Sequence, residues 1–199
     1  MIKLPSLPLG WQVASARIGA RLAPLYGVPS MAQQAAFYRD AFPVAHYVTI
    51  PEITAATSRL KWTEDPWHGK LDLIKHPTFM EEAIQRHPDY AGDCGSFAGY
   101  WCVALRKNAL ADECWWSTGY WVSGGKIVGH AVCVFRTGDQ WFHAGNWNGC
   151  RPVPIDGPTG YVQDFEKTTG CPVFTATMWR ASGLPDDTLA LDRAQVVRA

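Results

Sequence analysis

The sequence predicts an α+β fold in which one apolar helix lies on a sheet built from hairpins. Three observations carry this. Behind Gly92, Asp93 and Cys94, the residues Phe97, Ala98, Trp101, Ala104 and Leu105 recur at helical spacing. Three apolar runs, over 113–122, 127–135 and 141–147, are separated by the turn sequences Ser123-Gly-Gly-Lys and Thr137-Gly-Asp-Gln, so neighbouring strands reverse direction. A second helical stretch over 159–169 is closed by Gly170, and a further strand follows over 172–180.

In chain order, residues 1–60 mix short apolar segments with turn residues. A helix is expected over 31–40 with Ser30 as its N-cap, a weaker one over 13–25, and a short strand over 46–50 stopped by Pro51. His46 reads as a packed or surface histidine. From Lys61 the chain is a loop rich in proline, glycine and aromatics, then a helix over 77–86, then a turn containing Pro88. His68, His76 and His87 lie in this region and receive no role. The helix led by Cys94 runs to residue 107 or 108, where basic side chains suit its C-terminus. The nearly unbroken apolar run over 127–135 is what a central strand covered on both faces requires. A loop is expected over 148–158. The segment 182–199 is polar with interspersed Leu and Val, and reads as a short surface helix or a frayed tail.

Composition narrows the function classes. Hydrophobic residues make up 47% and charged ones 18%, and the formal net charge is zero, so nothing favours nucleic acid or an anionic membrane as partner. Two prolines interrupt the apolar N-terminus before it reaches the length of a signal core, and no stretch has the length of a transmembrane span. The expected location is the cytoplasm. The six cysteines, at 94, 102, 114, 133, 150 and 171, are scattered, and disulfides are not expected; Cys150 and Cys171 are the first pair to test. With no Cys-x-x-Cys and no His-x3-His, neither a metal nor a cofactor is expected.

The chemistry centres on Cys94. A thiol at a helix N-terminus faces unpaired backbone N–H groups and the positive end of the macrodipole, which favour the thiolate. Asp93 suits the N-cap. His130 is the lone basic residue in the apolar run over 127–135, and a helix-leading cysteine with a strand histidine is the pairing that nucleophilic thiol catalysis needs. A third group should accept from the distal imidazole N–H. Its candidates are Asn146 and, as the alternative, His143. If a five-residue connection pairs Phe135 with Trp141, position 130 lies opposite 146; if Gly138 and Asp139 form a two-residue turn, it lies opposite 147, with Asn146 one step away. In either register His143 sits about 10 to 13 Å along the strand from His130, at about 3.3 Å per residue. Asn146 is therefore preferred. An oxyanion hole would use the Cys94 backbone N–H and a second donor, with Gln85, Trp62 and Trp67 upstream and nothing in the spacing to choose among them.

The stretches Asp65-Pro-Trp-His-Gly, Gly92-Asp-Cys and Gly129-His-Ala-Val-Cys-Val-Phe, followed by Trp141, together resemble the transglutaminase-like branch of the papain-like cysteine peptidases. The resemblance covers residues 60–150. It implies a nucleophile helix on an antiparallel sheet that carries the histidine, and acyl transfer through a thioester, with Cys94 as nucleophile and His130 as base. The family's usual Asp falls at Asn146, one position later relative to Trp141. Asp93-Cys-Gly-Ser and the pair His143-Ala144 more weakly resemble the NlpC/P60 cell-wall peptidases.

The expected organisation is an N-terminal extension (1–60) packed on a catalytic core (61–181), with a C-terminal tail (182–199), in one globular domain. The expected function is a cysteine-dependent peptidase or amidase with a Cys94–His130–Asn146 triad. Its substrate would be a peptide, protein or peptidoglycan-like amide. Two alternatives stand beside it. One is a structural component of a larger assembly, such as a phage particle, that keeps the fold with little or no activity and docks through its N-terminal region. The other is a transamidase.

Overall fold

The structure is a computed structural model that describes residues 45–63, 77–86, 92–147, 149–182 and 190–198. The helices expected over 13–25 and 31–40, the loop 64–76 and the turn at Pro88 lie outside the described residues. In chain order the elements are α1 (Ile50–Thr57), α2 (Pro77–Arg86), α3 (Cys94–Lys107), β1 (Glu113–Ser123), β2 (Lys126–Thr137), β3 (Gln140–Ala144), β4 (Cys150–Val153), α4 (Gly160–Thr169), β5 (Val173–Ser182) and β6 (Ala190–Arg198). The six strands form one antiparallel sheet in the order β4-β3-β2-β1-β5-β6.

Local chemistry explains most of these boundaries. Asp93 caps α3, and Arg106 and Lys107 occupy its last turn. Asn108 closes that helix: its Nδ2 donates to the Ala104 carbonyl at 2.9 Å, and its Oδ1 accepts from the Tyr47 N–H at 3.1 Å. The β1–β2 turn places Gly124 and Gly125 at φ 56° and 74°, the left-handed pair that a tight hairpin needs. Gly138, at φ 58°, opens the next turn, which pairs Thr137 with Gln140.

Three expectations are corrected. Residues 46–50 do not form a strand: the helix α1 begins at Ile50. The β-branched Val-Thr-Ile sequence reads as extended, but Pro51 stands in the first helical turn, where its missing N–H costs nothing, and the Glu52 carboxylate accepts from the Val48 N–H at 2.8 Å. The expected loop over 148–158 contains β4, an edge strand, where Pro152 is tolerated. The C-terminal segment contributes β6, the opposite edge, in place of a surface helix or a frayed tail. In addition, the strand expected over 141–147 ends at Ala144 and continues as a bend.

The sheet has two covered faces. On one, Cys114, Trp116, Ala131, Cys133, Phe135 and Ala144 pack beneath α3, with α1 and α2 completing the layer through Ile53, Met80 and Ala83. Every residue of α3 from Gly95 to Leu105 is buried, as befits a helix enclosed between a sheet and other helices. On the other face, Trp115, Val132, Val134, Trp141 and Met178 form a second cluster, and α4 covers Val173 and Ala176 with Val162 and Phe165. Among the described residues no helix is long and apolar enough to cross a membrane.

Candidate functional site

Cys94 is the first residue of α3 and is half-buried against the main core. The Asp93 carboxylate accepts from the Gly95 N–H at 3.2 Å, the Ser96 N–H at 2.9 Å and the Ser96 hydroxyl at 2.6 Å. Asp93 is 7% exposed and Ser96 is fully buried, so the first turn of α3 is held from both sides. Gly92 fits only as glycine, because a Cβ there would lie 2.5 Å from Ser96 Cβ. Its carbonyl accepts from the Thr63 N–H at 3.2 Å, which ties the preceding loop to the thiol-bearing end.

His130 sits opposite Gly119 on β2. Side chains alternate along a strand, so with Ala131, Cys133 and Phe135 beneath α3, His130 joins Val132 and Val134 on the other face. Its ring stacks on Trp147, with centroids 3.7 Å apart and planes 13° from parallel. Trp147 meets Trp121 edge-on at 6.3 Å, and Trp121 meets Phe165 of α4 at 4.9 Å. Together with Tyr161 and Ser117, His130 lines a half-open cleft between this face and α4.

Burial lowers the His130 pKa from its ordinary 6.5 to about 4; the charge of nearby His143 acts in the same sense and that of Asp93 opposes it. His130 Nε2 is buried and has no hydrogen-bond partner among the described residues.

The β2–β3 register pairs Thr137 with Gln140 and Cys133 with Ala144; continued past the end of β3, it puts Trp147 opposite His130 and Asn146 opposite Ala131. Gly145 marks this path, since a Cβ on it would lie 3.5 Å from Val132 Cγ1. Asn146 Oδ1 is also buried with no partner among the described residues. His143 pairs with Val134, and its Nδ1 lies 3.3 Å from the Tyr161 hydroxyl. Burial and then the Arg151 charge lower its pKa.

His130, Trp147, His143 and Tyr161 thus share one face, while Cys94 starts the helix on the other. Of the upstream oxyanion candidates, Gln85 donates to Glu81 at 3.0 Å, Trp62 is exposed and Trp67 lies outside the described residues.

Two groupings have no signature in the sequence. One is a buried chain in which Tyr47 and Tyr100 exchange a hydroxyl hydrogen bond of 2.7 Å and the Tyr100 hydroxyl is bonded to the buried Glu81 carboxylate. The other is a cluster of Cys102, Cys114 and Cys133, whose sulfur atoms all lie within 4.8 Å of one another. None of the six cysteines is joined in a disulfide. The chain matches no known protein-family model, and no curated protein matches it in sequence.

Proposed function

We propose that this chain is a cysteine-dependent amide hydrolase of papain-like, transglutaminase-like type. Cys94 is the nucleophile, His130 the general base and acid once its ring turns from the α4 face, where it lies in this structure, toward the α3 N-terminus, and Asn146, at the level of Ala131 on the α3 side, the group that meets the turned imidazole. The observation that carries the reading is a pair of buried atoms with no hydrogen-bond partner among the described residues, His130 Nε2 and Asn146 Oδ1. Buried polar atoms without partners are costly and mark places where a partner is acquired. The half-buried thiol at a capped helix end is the third element.

In this reading His130 is neutral near pH 7 because burial holds its pKa down. It takes the Cys94 proton as sulfur attacks the carbonyl carbon, and returns that proton to the leaving amine when the tetrahedral intermediate collapses to a thioester. Water, deprotonated by the same imidazole, then releases the acid.

Alkylation kinetics test the proposal. At neutral pH iodoacetamide should label Cys94 fastest, and Cys94→Ala should remove the fast phase. Cys102, Cys114 and Cys133 are shielded, and burial raises the Cys150 pKa to about 11. Labelling of Cys94 no faster than of Cys150 and Cys171, or a rate at Cys94 unchanged by His130→Gln, would refute it.

A further inference from the structure

We propose that Cys102, Cys114 and Cys133 form a three-thiolate site for a single soft metal ion, with Cu(I) the species that fits it. The three residues come from three elements, α3, β1 and β2, and they converge where the helix crosses the first hairpin. In the β1–β2 register Cys114 pairs with Phe135 and Trp116 with Cys133, so Cys114 and Cys133 are diagonal neighbours on the face beneath α3. Cys102 comes down onto them from the helix. All three are buried, at 0%, 1% and 0% exposure respectively.

The distances fit a metal better than a disulfide. Cys114 and Cys133 Sγ are 3.3 Å apart, well beyond the bonded separation of about 2.05 Å. A metal–thiolate bond of about 2.3 Å places the sulfurs of a planar three-coordinate site roughly 4 Å apart. That spacing lies between the 3.3 Å of the Cys114–Cys133 pair and the 4.8 Å bound on all three.

The ligand set selects the metal. Thiolates alone suit soft ions. Zinc takes four ligands, and no fourth His, Cys, Asp or Glu joins the group among the described residues. Calcium and magnesium require oxygen ligands, which the site lacks.

Each cysteine that binds Cu(I) as a thiolate releases its thiol proton, and the copper keeps its oxidation state. The resulting anionic centre is offset in part by Arg106.

The test uses the full chain, reduced and refolded under argon with one equivalent of Cu(I), then challenged with a chromophoric Cu(I) chelator. The expected result is one copper retained per chain, a near-ultraviolet sulfur-to-copper charge-transfer band and a raised unfolding midpoint. Cys102→Ala and Cys133→Ala should each weaken retention by more than about 100-fold, since even the loss of an outer-shell partner costs roughly 10- to 100-fold. Cys171→Ser should retain copper like the parent. Transfer of copper from the parent to the chelator overturns the proposal, as does equal retention by either alanine variant. So does a mass two hydrogens lower with Cys114 and Cys133 joined. X-ray absorption on the copper-loaded parent keeps the test decisive if the variants do not fold: three Cu–S bonds are expected, and nitrogen or oxygen ligands, or a two-sulfur site, overturn it.

Discussion

Lowering the pH should unfold this protein through His130. In the unfolded chain the imidazole takes up its proton near pH 6.5, and in the folded chain only near 4. Between these values the unfolded state holds more protons, so acid favours unfolding. The stability that comes from keeping His130 neutral is complete above about pH 6.5 and is lost as pH falls towards 4. At 1.36 kcal/mol per pH unit the gap amounts to roughly 3 kcal/mol, of which about 2 kcal/mol is gone by pH 5. For a chain of this size that corresponds to a fall in Tm of about 4 to 8 °C. Burial of His143 acts in the same direction, so the measurement is a difference. Urea unfolding of the parent and of His130→Gln from pH 7.5 down to 4.5 should give a steeper pH dependence for the parent by about 2 to 3 kcal/mol. Parallel curves would refute the reasoning, and so would an NMR titration that finds the His130 ring protonating near 6.5. The same experiment bears on catalysis, because an imidazole already protonated at neutral pH could not accept the Cys94 proton.

Two further substitutions probe the scaffold around the thiol. Tyr100→Phe removes a hydroxyl bonded to both Glu81 and Tyr47, leaving a carboxylate that is 2% exposed with fewer donors; it should cost about 2 to 3 kcal/mol in urea unfolding, and a loss below about 1 kcal/mol would contradict the buried chain. Gly92→Ala drives a Cβ to 2.5 Å from the fully buried Ser96 and 3.1 Å from Met80 Sδ. It should destabilise by about 1 to 3 kcal/mol and slow alkylation of Cys94, since the first turn of α3 must shift; an unchanged labelling rate would show that the turn absorbs the strain elsewhere.

Local chemistry made much of this chain legible. Asp93 before an apolar stretch marks the start of α3, the Gly124–Gly125 pair marks a hairpin, and Gly170, at φ 68°, marks the end of α4, because each of these signals is settled within a few residues. The edge strands β4 and β6 were not legible. β4 is short and holds Pro152, β6 carries charged residues, and both owe their conformation to the neighbour they pair with. Residues 46–50 misled for the converse reason: β-branched residues favour extension, but Pro51 and the Glu52 carboxylate on the Val48 N–H set the start of α1.

At the site, the sequence by itself determined which residues have chemical capacity: a cysteine at a helix N-terminus, its capping aspartate, and a histidine inside a buried strand. Tertiary structure decided what each one meets. The two-residue turn at Gly138 and Asp139 fixed the β2–β3 register, and that register set Trp147 against His130 and carried Asn146 to the level of Ala131. A shift of one residue exchanges the faces of a strand, so a pattern that leaves two registers open also leaves the partners open. Cys102, Cys114 and Cys133 show the same limit more sharply. Nothing in their spacing links them, and their sulfurs meet only because α3 docks across the β1–β2 hairpin in one register.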